Sequence, residues 1–310
     1  MILVRYSCDK KEQWDTFVES SKNGHFFYNR DYMDYHKDRF QDHSFMVYDN
    51  DKLRAVLPAN VTEETLYTHQ GLTFGGFIVD SSMTVVLMLE IFELLLSRLA
   101  DLKIKKLIYK CIPYIYCINP SEEDRYSLFR NEASLVRRDV TTTINLQNRL
   151  KYSSIRKKYI KKANKAGLTF SRSDNYEEYW KLLNSVLEKY DTKAVHSIEE
   201  IQRLQKLFPE NIKLYVAKSD SEILAGTVIY ENKKIAHTQY LATSIYGKKV
   251  GALDFILDKL INEIYVDKEY FDFGISNEDN GHYLNEGLIS QKESFGARAV
   301  MHDVYQIEIA

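Results

Sequence analysis

The sequence predicts an α/β protein made of two similar halves. Short apolar runs alternate with longer amphipathic ones along all 310 residues. Each half follows the order hairpin, strand, glycine-rich turn, long helix, strand, at an offset of roughly half the chain, as an internal duplication does. Hydrophobic residues make up 45% of the chain and charged residues 28%, which gives a real core and excludes a disordered or fibrous chain.

In the first half, Lys11 to Ser20 has helical spacing with Trp14, Phe17 and Val18 on one side. Ser44–Tyr48 and Leu53–Leu57 flank the turn residues Asp49-Asn50-Asp51 and read as a hairpin. Leu66–Thr68 is a strand, followed by Gly71, Gly75 and Gly76. Thr84–Leu99 is a buried helix, interrupted by Glu90, Glu93 and Arg98 and so too charged to span a membrane. Lys106–Cys111 is a strand. In the second half, Tyr176–Tyr190 and Ile198–Leu207 are amphipathic helices. Leu214–Lys218 and Leu224–Tyr230 form a hairpin around Ser219-Asp220-Ser221, and Ile235–Leu241 is a third strand. A glycine loop over Tyr246–Ala252 then opens a helix from Leu253 to Tyr265. Tyr270–Gly274 is a strand, Tyr283–Phe295 a helix and Ala297–Ile309 a closing strand pair. The expected domains are 1–147 and 148–310.

The formal net charge of -2 excludes a globally basic nucleic-acid binder. Three cysteines, Cys8, Cys111 and Cys117, lack metal-ligand spacing, so a reduced cytoplasmic chain without a metal is expected. The start, Met1-Ile2-Leu3-Val4-Arg5, carries no apolar run of signal-peptide length. A Gly-x-Ser-x-Gly elbow and a His-Glu-x-x-His motif are both absent, which leaves hydrolase and zinc-protease readings without support.

Four stretches have the residue types for chemistry. Gly247-Lys248-Lys249-Val250-Gly251-Ala252 lies between a strand and a helix, where glycine amides, two lysines and a helix N-terminus suit a pyrophosphate. An ordinary strand-to-helix turn has the same spacing. Arg149 to Lys165 holds eight cations and no acid. Ser153 or Ser154 caps a helix there that ends at Gly167. Either a solvated face or a phosphate-bearing partner explains it. Asp272 sits in an apolar strand, and alternation puts its carboxylate opposite Phe271 and Phe273, where it needs a partner or a role. Tyr67–Gly76 carries His69, Gln70 and three glycines at a strand end. His237 is a lone histidine in a strand, a residue more often satisfied in a core than used as a base.

The strand end Gln239–Ser244, the glycine loop, Phe271-Asp272-Phe273-Gly274, Asn285-Glu286-Gly287, Lys292 and Phe295-Gly296 together resemble the FemAB-like branch of the GNAT acyltransferases. The basic segment Ile155–Gly167 is similar to the start of that branch's second domain, and His69–Gly76 to a loop of its first. The resemblance implies two tandem GNAT-like domains with mixed sheets flanked by helices. It implies direct N-acyl transfer with acyl-CoA as co-substrate and no metal. The acyl group would be acetyl or a short hydroxyacyl such as 3-hydroxybutyryl. The acceptor would be the amine of a dTDP- or UDP-linked amino-deoxy sugar of bacterial surface polysaccharide. Asp272, then His237, would serve as base, with Tyr240 protonating the leaving thiolate. Ala242, Gly247, Lys248, Lys249, Val250, Gly251 and Ala252 would hold the donor. Tyr28, His69, Gln70, Arg156, Lys157, Asn285 and Lys292 would meet the acceptor. An aminoacyl-tRNA-dependent peptidoglycan transferase and a non-catalytic RNA-binding protein are the alternatives. Docking of the basic helix on anionic lipid ranks lower, because residues 149–165 hold few bulky apolar side chains.

Overall fold

The computed structural model describes residues 1–309 and divides the chain into two compact units. The first comprises Met1–Asp139, Asp279–His282 and the stretch from Met301 on. The second comprises Val140–Glu278 and Tyr283–Val300. The border therefore falls at Asp139, inside a long strand, and not at residue 147.

In the first unit the elements are β1 (Ile2–Arg5), α1 (Lys11–Ser20), α2 (Arg30–Met33), β2 (Gln41–Asp42), β3 (Phe45–Asp49), β4 (Lys52–Leu57), β5 (Asn60–Thr62), β6 (Thr65–Tyr67), β7 (Ile78–Val79), α3 (Val85–Asp101), β8 (Lys106–Lys110) and α4 (Glu123–Arg130). The predicted hairpin is β3–β4, paired antiparallel from Phe45–Leu57 to Asp49–Lys52. Thr84 caps α3 by accepting a bond from the Leu87 amide. The buried face of α3, Met88, Ile91, Phe92, Leu95 and Leu99, packs with Phe45, Val47, Leu66, Phe77 and Leu107 in one core. β6 and β8 pair in parallel, and β5 pairs antiparallel with β6.

Strand β9 (Ser134–Asn145) leads into the second unit, a stretch that sequence periodicity leaves unassigned. There follow α5 (Ser154–Lys165), β10 (Thr169–Ser173), α6 (Tyr176–Leu187), α7 (Ile198–Leu207), β11 (Ile212–Ser219), β12 (Glu222–Glu231), β13 (Ile235–Thr243), α8 (Ile245–Val250), α9 (Ala252–Lys259), β14 (Tyr270–Ile275), β15 (Asn277–Glu278), β16 (Tyr283–Leu284), α10 (Glu286–Glu293) and β17 (Arg298–Glu308). The sheet order is β10-β11-β12-β13-β14-β9. All pairs in it are antiparallel except β13–β14. The expected closing strand pair is one strand, β17, and the expected helix from Tyr283 starts at Glu286 after the short β16.

One face of this sheet is covered by α9, whose Phe255, Ile256 and Leu257 pack with Ala236, Phe271, Phe273 and Phe295. On the other face Tyr179 of α6 lies where a side chain at Gly226 would have to stand, 2.5 Å from its Cβ position. The two faces thus bury different side chains, and strand alternation decides which residue meets which helix.

Candidate active site

Asp272 faces away from the α9 layer, as its two phenylalanine neighbours dictate, and has no exposed surface. Its Oδ2 lies 2.6 Å from His237 Nδ1 and accepts a 3.3 Å bond from the Gly274 amide. Its Oδ1 accepts the Thr141 and Thr143 hydroxyls at 2.5 and 2.7 Å. Burial pushes this carboxyl up. The bond to His237, the charge on that ring and the two threonine hydroxyls outweigh burial and hold it well below the usual carboxylate range. The carboxylate is therefore ionised. A proton on Nδ1 satisfies it, which leaves Nε2 as the basic nitrogen of the ring.

The pair sits where two strands part. β13 and β14 run in parallel register at Ile235–Tyr270, Ala236–Phe271 and His237–Asp272, and the ladder ends there. β13 continues to Thr243 against β12, with a bulge at Gln239 between the pairs Thr238–Ile229 and Tyr240–Val228. β14 turns at Gly274, φ +76°, where an added Cβ would come within 3.2 Å of His237 Cε1 and 3.9 Å of Nε2. Glycine there leaves room beside the ring that a side chain would fill. The bulge keeps Tyr240 on the α6 side, in edge contact with Trp180 at 5.2 Å between ring centroids. The Tyr240 hydroxyl lies 2.6 Å from His196 Nδ1 and accepts a 3.2 Å bond from the His196 amide.

Lys292 lies close by, but its ammonium is committed. It donates to the carbonyls of Gly274 and Ile275 at 2.8 and 2.7 Å and to the Ser276 hydroxyl at 2.9 Å. Burial pushes it down to about 8, with Asp272 opposing. Three donors on three acceptors make it a strand-end clamp instead of the expected acceptor contact. Asn285 caps α10 by accepting the Leu288 amide, again a structural task.

The expected donor loop is not a loop. Residues 245–250 are helix α8, capped by Ser244, which accepts the Gly247 amide at 2.9 Å. Gly251, φ +83°, is the left-handed residue between α8 and α9. A Cβ at Gly251 would stand 2.6 Å from the Tyr159 carbonyl, and one at Gly247 would stand 2.4 Å from the Leu224 carbonyl. Both glycines serve close packing and not a phosphate cradle. Ala242, Val250 and Ala252 are buried. Lys248 and Lys249 are exposed on α8.

The basic helix divides by face. Arg156 is withdrawn into a 2.7 Å ion pair with Asp254 and lies over the Phe295 ring at 5.5 Å. It joins α5 to α9 and is not available to an acceptor as expected. Lys157, Lys161, Asn164 and Lys165, with Tyr152, Ile160 and Asp258, line an open groove of about 530 Å³. In the first unit, His69 (φ +66°) and Tyr28 are buried. Burial and the charges of His36, Lys110 and Arg30 push His69 down to about 3, so it is neutral. Gln70 accepts the Asn60 amide at 2.7 Å, and Lys110 Nζ holds the His69 carbonyl at 3.1 Å. Tyr28 and His69 are thus built into the first unit's own packing, while Gln70 is exposed and bonded to its neighbour Asn60.

Sequence reasoning missed Thr141, Thr143 and His196. The i, i+2 threonines of Thr141-Thr142-Thr143 share one strand face, a signal present but not used. Nothing local marks His196. Among the described residues no group of three or more metal-ligating side chains comes together.

No model of a known protein family and no curated protein matches the chain. Solved structures do. A crystal structure of FemX aligns over 98% of this chain and 97% of its own, with TM-score 0.69 at 11% identity. The fold is the tandem GNAT fold. A structure described as a tandem GNAT protein from the clavulanic acid biosynthesis pathway aligns with TM-score 0.52 at 11% identity, over 100% of this chain and 98% of that one. A structure described as that of L-PGS from Bacillus licheniformis aligns with TM-score 0.62 at 14% identity, over 98% of this chain and 92% of that one. At these identities the likeness is one of tandem GNAT fold and carries no substrate with it.

Proposed function

We propose that this chain is an N-acyltransferase whose chemistry takes place at His237. The observation that carries the reading is that the β13–β14 ladder ends where the half-buried His237 meets the buried Asp272 carboxylate. An amine attacks an activated acyl carbonyl only in its neutral form, so its proton needs an acceptor. His237 Nε2 takes that proton, and Asp272 stabilises the imidazolium. The nitrogen–carbonyl bond forms, the bond from the acyl carbon to its carrier breaks, and the departing group leaves with the proton that His237 held. Tyr240, held by His196, offers its hydroxyl as a hydrogen bond to the departing group and gives up no net proton. Holding the two reactants together contributes on the order of 7 kcal/mol in well-oriented cases.

The donor is acyl-CoA and the acceptor a nucleotide-linked amino sugar, a choice that rests on the sequence resemblance. The helical α8 does not fit a loop that wraps a pyrophosphate, so the donor's phosphates fall to the Lys157–Lys161–Lys165 groove. An aminoacyl-tRNA donor is the second reading, favoured by that same groove and by the likeness to FemX. A thermal-shift scan with CoA, acetyl-CoA, 3-hydroxybutyryl-CoA and dTDP or UDP nucleotides separates them. A ligand at a hundred times its Kd stabilises by about 2.7 kcal/mol. Responses to a CoA and to one nucleotide support the amino-sugar reading. Silence toward every CoA refutes it and selects the aminoacyl-tRNA donor.

A further inference from the structure

We infer that α5 and α8 form a docking surface for an anionic lipid membrane, on the side of α5 away from the lysine groove. In the folded unit α8 lies beside α5, and the Gly251 junction packs against Tyr159. At about 100° per residue, Ile155, Lys158 and Lys162 flank Tyr159 on the side away from Arg156. Ile155 is 48% exposed on α5, and Ile245 and Tyr246 are 67% and 56% exposed on α8. Lys158 and Lys162 on α5 and Lys248 and Lys249 on α8 are exposed as well.

Three features favour lipid. Neither 149–165 nor 244–251 contains an acid, although the whole chain carries a net charge of -2. An anionic surface would therefore be drawn to this region of the protein. None of the four lysines joins an ion pair among the described residues, while the two arginines of the region are engaged, Arg149 with Asn262 and Arg156 with Asp254. Lysine is a compact point charge suited to a diffuse anionic surface, whereas reading phosphate geometry favours arginine. Last, α8 adds Ile245 and Tyr246, the bulky interfacial side chains that α5 lacks by itself. Since no helix among the described residues is long and apolar enough to cross a membrane, the attachment is peripheral.

The test is co-sedimentation of the full chain with vesicles of phosphatidylcholine alone and of phosphatidylcholine containing phosphatidylglycerol, at low and physiological salt. Wild type is expected on the anionic vesicles only. Each lysine removed weakens binding about fivefold, so K158Q/K162Q/K248Q/K249Q loses two orders of magnitude or more. The apolar variant I245S/Y246S is expected to lose the part of binding that survives physiological salt, where charge attraction is screened. Circular dichroism on each variant confirms folding. Equal partitioning onto both vesicle types overturns the inference, and so does undiminished binding by the lysine variant. Binding of mixed tRNA through these lysines with no vesicle binding also overturns it and makes the patch a polynucleotide surface. No substrate enters this experiment, so its outcome is independent of the transferase reading.

Discussion

Replacing Asp272 with Asn tests the site at its centre. The side chain is nearly isosteric, and its carbonyl oxygen can keep the Thr141 and Thr143 hydroxyl bonds now made at 2.5 and 2.7 Å. The amide nitrogen then replaces Oδ2, which lies 2.6 Å from His237 Nδ1. It presents a hydrogen where the carboxylate presented a lone pair. The imidazole must move its proton from Nδ1 to Nε2 to keep this bond, and Nε2 ceases to be a base. In Ser-His-Asp enzymes the same change lowers kcat by about 10⁴ through the wrong tautomer. For this site a loss of about 10² to 10⁴ is expected, which is roughly 3–5 kcal/mol at about 1.36 kcal/mol per tenfold. The stability cost is smaller, about 1–3 kcal/mol, from the Gly274 amide and the lost charge. The assay is steady-state release of free thiol from the acyl-CoA that the thermal-shift scan selects. It is paired with ¹⁵N NMR of the histidine rings, which reads the tautomer without any substrate. A variant that keeps kcat within threefold of wild type, or one whose His237 still carries its proton on Nδ1, would refute the reasoning.

Thr141→Val and Thr143→Val each remove one hydroxyl from a buried carboxylate and are each expected to cost about 1.5–3 kcal/mol in urea unfolding. Their effects should be non-additive, because both hydroxyls meet Oδ1. Because the folded pKa of Asp272 is depressed, its contribution is present above about pH 4, the unfolded value, and is lost as pH falls toward the folded one. The stability gap between wild type and Asp272→Asn should therefore narrow as pH is lowered below 4, as denaturant titrations at several pH values would show. Gly251→Ala places a Cβ 2.6 Å from the Tyr159 carbonyl at φ +83°. A loss of more than about 2 kcal/mol is expected from strain and overpacking. Lys249→Gln should stay within about 0.5 kcal/mol, as an exposed change does. Equal melting temperatures for the two variants would contradict the packing role of Gly251.

Local pattern determined much of this protein. Strand alternation put Asp272 opposite Phe271 and Phe273, helical spacing placed the Thr84-capped α3, and Ser153 and Gly167 bracketed the basic helix. These signals repeat within a few residues, so the sequence carries them without any partner. The glycines at 247 and 251 misled, because a glycine required for close packing looks the same in sequence as one required for a loop. The tertiary structure alone decided that His237 meets Asp272, 35 positions away, that Thr141 and Thr143 close the far side of the carboxylate, and that Tyr240 leans on His196. It alone spent the charges of Arg156 and Lys292 on Asp254 and on strand-end carbonyls. Parallel register and long-range ion pairing depend on which strands become neighbours, and no spacing along a single chain specifies that.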